Sequence, residues 1–288
     1  MSTKPGSTVP EREPPAAARG SDFRGVKRHA GPHRVYVEQR GRGTDVVLLH
    51  GAAMAPTHLR PLADRLSSRF RVLTVHRPGY GCSDSVRPYE SEACLERIEA
   101  ALVAQEVQRP FLVGLSVGAD QCMALAVRGR IDARGLVLIG SPQYGGEARR
   151  AARAMARTLR AGGDVRGALT ERMLGPHYSE DCKSVSEVRG WLSSCQGQDL
   201  ADELVAVADE FHDHRSEIAS LGIPALLRVG TADLMAPVDY LRSARELMRN
   251  SRVEEVPAAG HALLLEDYEA TAASIEHFLL EHTCGLAD

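Results

Sequence analysis

Short apolar runs alternate with amphipathic stretches along most of this 288-residue chain, and this alternation restricts the possible folds more than any other feature of the sequence. Residues 34–38 alternate apolar and polar side chains with a period of two, which predicts an early antiparallel strand. Six further runs are strand-like and span residues 46–51, 71–76, 110–114, 135–140, 224–230 and 252–257. The four most apolar of them are typical of parallel strands that are buried on both faces.

The stretches between these runs carry apolar residues at helical spacing, near residues 57–68, 89–107, 117–129, 237–249 and 265–282. Strand–helix alternation of this kind predicts a doubly wound α/β sheet. One connection differs, because residues 145–222 contain no strand-like run and predict helices over 147–159, 165–174, 185–195 and 199–211. A loop of that length without secondary structure is improbable, so we expect a helical insertion packed over one edge of the core.

The first 22 residues differ in composition from the rest of the chain. They contain four prolines and no bulky apolar cluster, which predicts a disordered tail rather than a secretory signal. With 43% apolar residues overall, the chain can form a substantial core. We therefore expect a tail over 1–22, an α/β core formed by 23–144 and 223–288, and a helical cap (lid) over 145–222.

Charge and cysteine usage bear on partners and location. A net charge of −3 and a pI near 6.4 do not indicate a nucleic-acid partner. No apolar run approaches the roughly 18 residues that span a bilayer, so no membrane partner is expected. The six cysteines, at positions 82, 94, 122, 182, 195 and 284, do not have the spacing of zinc ligands. This favours reduced thiols in a cytoplasmic protein. The sequence is compatible with either a monomer or a dimer as the oligomeric state.

Three reactive side chains follow predicted strands. Ligands of open α/β sheets bind at the carboxyl ends of the strands, and Ser116, Asp233 and His261 come shortly after three different strand-like runs. A serine hydroxyl becomes an effective nucleophile when a base removes its proton, and a carboxylate holds that base in the correct tautomer. The three residues are therefore candidates for a Ser–His–Asp catalytic triad.

The serine lies in the stretch "VGLSVGAD", between Gly114 and Gly118. In a tight strand-to-helix turn, a side chain two residues before or after the serine would collide with the neighbouring strand or helix. The same turn strains the serine backbone and points its oxygen outward. An ordinary glycine-rich turn also fits the motif, but the flanking strand and helix and the order Ser, Asp, His favour a nucleophile elbow.

Four regions resemble the α/β-hydrolase superfamily, and the resemblance extends over roughly residues 23–283. They are "LLHGAAM", "HRPGYGCSD", "VGLSVGAD", and "VGTADLMAPVDY" with its partner "AAGHALLLED". The resemblance implies an α/β-hydrolase fold, with a mostly parallel eight-stranded sheet flanked by helices and a helical cap inserted after strand 6.

The resemblance also implies roles for individual residues. Ser116 corresponds to the nucleophile, His261 to the general base and Asp233 to the acid that orients the base. The backbone N–H groups of Ala52 and Val117 correspond to an oxyanion hole, which stabilises the negative charge of a tetrahedral intermediate.

Neighbouring residues in these motifs are interpreted structurally. His50 precedes Gly51 at a strand end, and we expect it to shape the oxyanion loop by hydrogen bonding rather than to act as a second base. Some relatives place the acid after the preceding core strand, but residues 140–142 contain no carboxylate. This favours Asp233 as the catalytic acid. The alternative interpretation is that Asp233 caps a helix ahead of Pro237.

Two positions depart from the family pattern. His76 stands where relatives often have aspartate, and Ala119 where many have a further glycine. Neither belongs to the triad, and the serine at position 116 excludes the aspartate nucleophile of dehalogenase and epoxide-hydrolase relatives.

Three features of the insertion allow two interpretations each. His212 and His214 are spaced as metal ligands can be, but no third ligand is evident and a solvated helix end is favoured. Trp191 either lines the pocket or packs the cap onto the core. An arginine run could attract an anionic substrate, although its spacing favours an exposed helix face; it comprises Arg149, Arg150, Arg153, Arg157 and Arg160.

Together these features predict a serine hydrolase that uses no cofactor and no metal. Its expected partner is a small, largely apolar ester or lactone, cleaved through an acyl-enzyme. The motifs are similar to those of lactonase, esterase and C–C hydrolase members of the family. The alternatives are an acyltransferase, thioesterase-like enzyme or lyase with the same triad, and a ligand receptor without turnover.

Overall fold

An eight-stranded sheet forms the centre of the structure, a computed structural model that describes residues 24–30, 33–141, 146–192, 197–210, 212–236 and 238–283. The strands are β1 (Arg24–Ala30), β2 (His33–Arg40), β3 (Asp45–Leu49), β4 (Arg71–His76), β5 (Phe111–Leu115), β6 (Gly135–Ile139), β7 (Ala225–Gly230) and β8 (Ser251–Val256). They lie in the order β1-β2-β4-β3-β5-β6-β7-β8. β2 is antiparallel to both of its neighbours and all other pairs are parallel, which confirms the predicted fold class.

Helices connect the strands and cover the sheet. In chain order they are α1 (Arg60–Leu66), α2 (Ser91–Ala104), α3 (Val117–Arg128), α4 (Gly146–Arg160), α5 (Arg166–Met173), α6 (Pro176–Ser179), α7 (Cys182–Leu192), α8 (Gly197–Glu210), α9 (Arg215–Leu221), α10 (Val238–Leu247), α11 (Leu263–Glu266) and α12 (Tyr268–Glu281). A 3-10 turn, Pro56–Leu59, precedes α1. The helices predicted from apolar spacing are confirmed, and the short α6 and α9 are additional.

All seven predicted strands are confirmed, with ends within two residues of the observed ones. β1 was not predicted from the residue pattern. Its sequence, "RGVKRHA", contains a single bulky apolar residue, and the strand lies at the sheet edge, where it pairs only with β2. Such a stretch shows neither an apolar run nor a regular alternation of apolar and polar residues, so its pattern does not indicate a strand. The predicted tail over 1–22 lies outside the described residues.

Parallel strands bury side chains on both faces of the sheet, as their apolar runs predicted. Val46 and Leu48 of β3 pack in one cluster with residues of α1 and α12, whereas Val47 and Leu49 pack on the opposite face with residues of α2 and α3. All four side chains are fully buried. Each contributes roughly 1.5–3 kcal/mol of transfer free energy. This two-sided packing fixes the carboxyl ends of the strands, where the candidate catalytic residues lie.

The connection from β6 to β7 is helical, and its helices α4–α9 are called the cap below. α4 and α8 pack side by side, and the ion pairs Arg153–Asp209 and Arg160–Asp202 join them. Both arginines are about half exposed, so each pair contributes only about 0–1 kcal/mol. These two members of the arginine run therefore lie on an exposed helix face and already have carboxylate partners within the cap.

Two further properties concern the described residues alone. None of their helices combines the length and apolar composition needed to cross a membrane. The cysteines among them form no disulfide with one another; they are Cys82, Cys94, Cys122 and Cys182. Cys195 and Cys284 lie outside the described residues.

Candidate active site

Ser116 lies at the turn between β5 and α3 in a strained backbone conformation. Its φ of 55° and ψ of −126° fall in a region that costs roughly 1–3 kcal/mol for a residue with a side chain. Two hydrogen bonds hold it there: its N–H donates to the Ile139 carbonyl of β6 (2.9 Å), and its carbonyl accepts from the Ala119 N–H (2.7 Å). The stretch thus forms a sharp strand-to-helix turn with the serine at its apex.

Gly114 and Gly118 are required by the closeness of this turn to β3. A Cβ on Gly114 would lie 2.3 Å from the Gly118 carbonyl oxygen, and a Cβ on Gly118 would lie 2.3 Å from the Leu49 carbonyl oxygen. Both obstructing atoms belong to the backbone and cannot rotate away. Gly51 is similarly restricted, because its Cβ would lie 3.0 Å from the Ser116 Cβ. Any side chain at positions 114 or 118 would displace the serine.

Asp233 and His261 follow β7 and β8 and form a buried hydrogen-bonded pair. The His261 Nδ1 atom lies 2.8 Å from Asp233 Oδ2, and the two residues are 1% and 8% exposed. Asp233 Oδ1 accepts the N–H groups of Met235 (2.7 Å) and Ala236 (2.8 Å). Asp233 therefore caps the following turn with one oxygen and binds the imidazole with the other, so the two interpretations of this residue are compatible.

The ends of four neighbouring strands, β5 to β8, form the site, with Ser116 after β5, Asp233 after β7 and His261 after β8. Gly140, the residue after β6, has a φ of 53°, and a Cβ there would lie 2.9 Å from His261 Nδ1 and 3.3 Å from Asp233 Oδ2. The preceding residue, Ile139, is the one that accepts the Ser116 N–H. His261 Nε2 is buried and has no hydrogen-bond partner among the described residues. With Nδ1 donating to Asp233, Nε2 is the nitrogen that can accept a proton.

Glu266 and the cap hold the His261 loop, a feature that sequence reasoning missed. The Glu266 carboxylate accepts the N–H groups of Gly175 (2.9 Å), Gly260 (2.8 Å) and Ala262 (3.2 Å). In addition, the His261 N–H donates to the carbonyl of Met173 at the end of α5 (2.7 Å). Burial raises the pKa of Glu266 although these N–H groups oppose the shift. The imidazole is thus positioned jointly by the core and the cap.

The loop after β3 contains the predicted oxyanion donor Ala52. Next to it, Ala53 adopts a φ of 61° and donates its N–H to the Tyr80 hydroxyl (2.9 Å). His50 accepts the Arg77 N–H at Nε2 (3.1 Å), so its Nδ1 donates to the Gly51 carbonyl (2.9 Å). Burial lowers the pKa of His50 well below its ordinary value, which keeps the ring neutral. His50 therefore makes the loop-shaping hydrogen bonds that its predicted structural role requires.

A buried charge network connects this loop to the cap. Glu203 of α8 is fully buried and pairs with Arg77, which is 1% exposed. The same carboxylate accepts the hydroxyls of Tyr80 and Tyr89, while Arg77 Nε donates to Gln121 Oε1 (2.7 Å). Tyr80 thus links the cap carboxylate to the backbone beside Ala52. No motif signalled this network, because its members are far apart in the sequence.

His76, a departure from the family pattern, has a structural environment. Its Nδ1 accepts the Cys82 N–H (3.1 Å), and its Nε2 donates to Glu38 Oε1 (3.1 Å). Burial opposes ionisation of Glu38, but hydrogen bonds from His76 and Arg60 outweigh it and lower the Glu38 pKa to about 2. The other departure, Ala119, is fully buried in the first turn of α3.

Trp191 packs the cap onto the core. Its ring lies 5.1 Å from that of His58, and its carbonyl accepts the Ala55 N–H (2.8 Å). The His58 Nδ1 atom lies 2.6 Å from the Ala55 carbonyl oxygen, and burial lowers the His58 pKa to about 4. Of the two interpretations of Trp191, these contacts are those of cap packing.

We expect His58 to make the fold less stable as the pH falls from 6.5 towards 4. The unfolded chain binds a proton at this residue near pH 6.5 and the folded chain near pH 4, so in this interval the unfolded state gains protons first and stability decreases. At pH 4.5 the loss is roughly 2–3 kcal/mol. Urea unfolding at pH 7 and pH 4.5 measures it. His58→Gln should reduce the pH dependence, and the exposed control His277→Gln should not; equal slopes in both variants would refute this.

Two cavities border residues next to the site. One, of about 340 Å³, is lined by Ala53 and by cap residues that include Asp164 and Arg166. Its apolar wall consists of Leu159, Leu169, Leu192 and Leu200. The other, of about 90 Å³, is lined by residues of α3, including Val117, and by the chain leaving α8. The smaller cavity thus includes the predicted oxyanion donor Val117, and the larger one includes Ala53, the residue after the other predicted donor, Ala52.

Comparison with known proteins places this geometry in a family. The sequence profile of the alpha/beta hydrolase family matches residues 46–274, a span that includes Ser116, Asp233 and His261. The chain belongs to the alpha/beta hydrolase family. The resemblance stated from the motifs is thereby confirmed.

Two curated proteins resemble the chain along most of its length. It is 27% identical over 257 residues to the pimeloyl-[acyl-carrier protein] methyl ester esterase of Chromobacterium violaceum, covering 84% of this chain and 97% of that protein. It is 28% identical over 271 residues to the polyketide synthase ThaQ of Burkholderia thailandensis, covering 87% of this chain. The chain spans only 12% of the length of that synthase.

Solved structures show the same fold. A thermophilic esterase from Thermogutta terrifontis superposes with a TM-score of 0.80 at 22% identity, covering 91% of this chain and 99% of the esterase. Relatives and neighbours of the family are named esterases and hydrolases. The chain is accordingly an enzyme, an α/β-fold hydrolase of the ester-hydrolase type.

Proposed function

We propose that this enzyme cleaves its substrate through a Ser116–His261–Asp233 triad and an acyl-enzyme intermediate. The observation that carries the proposal is the 2.8 Å contact between His261 Nδ1 and Asp233 Oδ2, together with a serine held at positive φ after β5, which only β6 separates from β7 in the sheet. A base oriented by a buried carboxylate next to a strained serine is the arrangement that serine nucleophiles require.

In the acylation step, His261 Nε2 removes the Ser116 Oγ proton as that oxygen attacks the substrate carbonyl carbon. The negative charge on the former carbonyl oxygen is stabilised by the N–H groups of Ala52 and Val117. The tetrahedral intermediate then expels the alcohol, which takes the proton from His261. These steps leave an acyl group esterified to Ser116.

Deacylation repeats the same proton transfers with water. His261 Nε2 removes a proton from water, the hydroxide oxygen attacks the acyl carbon, and Ser116 leaves with the proton returned by the imidazolium. The net reaction converts ester and water into acid and alcohol. This cycle requires no cofactor or metal.

The cavity under the cap supports a small, largely apolar substrate, as either an ester or a lactone. Four leucines line it together with Ala53, the residue after the proposed oxyanion donor Ala52. An acyl chain lying along this wall removes apolar surface from water at about 25 cal/mol per Å². Asp164 and Arg166, which also line the cavity, offer polar contacts to the substrate.

A second candidate is hydrolysis of an acyl thioester, suggested by a relative whose named substrate, although cleaved at its methyl ester, is an acyl group carried by a protein. One relative is named for the methyl ester of a pimeloyl-[acyl-carrier protein], and another is a polyketide synthase. A thioester carbonyl is attacked by the same nucleophile and needs the same oxyanion donors. The two candidates therefore differ in the leaving group and not in the triad.

A matched substrate panel should separate these candidates. We expect turnover of p-nitrophenyl esters that rises with acyl length until the cavity is filled, because each added methylene group contributes about 0.8 kcal/mol when buried. The kcat/KM values are compared with those for N-acetylcysteamine thioesters and lactones of equal acyl length. Higher values for the thioesters would select the second candidate. Transfer to an added alcohol would indicate an acyltransferase, and tight ligand binding without turnover would contradict both.

A further inference from the structure

Three metal-binding side chains converge where the cap returns to the core. His212 Nε2 lies 2.6 Å from Glu217 Oε1, and His214 Nδ1 lies 3.7 Å from the same oxygen. The ligand atoms of all three residues lie within 4.8 Å of one another. The sequence showed two histidines without a third ligand, and Glu217, almost one helical turn after His214, supplies it. These residues are called the His–His–Glu cluster below.

The cluster contains a nitrogen whose hydrogen-bonding capacity is unused. His214 Nδ1 is buried and has no hydrogen-bond partner among the described residues, since 3.7 Å exceeds hydrogen-bond distance. Neutral imidazoles and a carboxylate are the forms that bind metal ions.

We propose that the His–His–Glu cluster is a binding site for a divalent transition metal, with Zn²⁺ as the preferred ion. Zinc bonds of about 2.0–2.2 Å place neighbouring ligand atoms about 3.4 Å apart in a tetrahedral site. The Oε1–Nδ1 separation must shorten slightly and the Oε1–Nε2 separation must lengthen, which small rotations of these side chains allow. Two nitrogen donors select Zn²⁺ over Mg²⁺ and Ca²⁺, which prefer oxygen ligands.

The location gives the site a structural role. His212 and His214 lie in the chain between α8 and α9, and Glu217 lies in the first turn of α9, the last helix of the cap. A metal held by them therefore ties the chain after α8 to the start of α9. His212 and His214 also line the 90 Å³ cavity that Val117 borders, so the proposed site adjoins that cavity. The proposal is independent of the reaction that the enzyme catalyses.

Metal titration of the purified chain, after removal of ions by a chelator, tests the site. We expect Zn²⁺ to bind by calorimetry with a stoichiometry of one, and Co²⁺ in its place to develop the visible absorption of a tetrahedral complex. Loss of an outer-shell partner typically weakens metal binding about 10–100-fold. Loss of the ligands in His212→Ala and Glu217→Gln should weaken it at least as much.

His277→Ala is the matched control, because His277 is an exposed histidine 3.9 Å from Glu281, and the described part of the chain offers no third ligand there. This variant should bind Zn²⁺ as the parent does. Since His212 and Glu217 are exposed or partly exposed, their variants should retain the parental melting temperature without metal. Absence of stoichiometric binding, or equal weakening in His277→Ala, would overturn the proposal.

Discussion

Ser116→Ala is expected to lower kcat for ester hydrolysis by up to about 10⁶-fold while the protein stays folded. The substitution removes the only atom that forms the acyl-enzyme in the proposed mechanism, but it leaves the backbone hydrogen bonds of the turn in place. The residual rate reflects substrate binding and the oxyanion donors alone. Measurements are kcat on a p-nitrophenyl ester and the melting temperature by circular dichroism.

Covalent labelling identifies the nucleophile directly. A fluorophosphonate should form a single adduct, which peptide mapping places on Ser116 and which is absent from Ser116→Ala. Ser141 is the matched control, because it is a buried serine just after β6, the next strand of the sheet, and its hydroxyl donates to Asp120 rather than to a base. Ser141→Ala should keep the label. An adduct on any other residue, or full activity in Ser116→Ala, would rule out the proposed mechanism.

The sheet and the elbow could be predicted from sequence because their determinants are local. A strand buried on both faces needs a continuous apolar run, and a turn as close as that at Gly114 and Gly118 excludes a side chain at both positions. Both requirements act within a few residues, so the stretch itself displays them. The positions of Asp233 and His261 followed from the rule that parallel strands present ligand-binding residues at their carboxyl ends.

The residues that support the site could not be predicted, because their partners are distant in sequence. Arg77 and Glu203 are 126 residues apart, and Gly175 and Glu266 are 91 apart. Each pairing depends on how the cap packs onto the core, and many carboxylates in the cap have the same local pattern as Glu203. Sequence periodicity shows that a helix has a buried face but does not identify the cation that a buried carboxylate will meet.

Glu203→Ala is expected to destabilise the protein by about 3–5 kcal/mol, the usual cost of removing one partner of a buried ion pair. The Arg77 cation would stay buried with Gln121 as its main remaining partner, and the Tyr80 and Tyr89 hydroxyls would lose their acceptor. At roughly 2–4 °C for each kcal/mol, the melting temperature should fall by about 6–20 °C. Urea unfolding and thermal melts measure both quantities.

Asp209→Ala is the matched control for stability, because Asp209 lies on the same helix and forms an exposed ion pair with Arg153, worth about 0–1 kcal/mol. Equal destabilisation by both variants would show that the buried network contributes no more than a surface pair.

Tyr80→Phe tests the link to catalysis, because it removes only the hydroxyl that the Ala53 N–H binds. If that contact sets the position of the Ala52 N–H, Tyr80→Phe should lower kcat and change KM little. The upper limit of the decrease is about 10²–10³-fold, the effect of removing one oxyanion donor. An unchanged kcat would confine the network to stability, since Glu203 would then hold the cap without shaping the oxyanion loop.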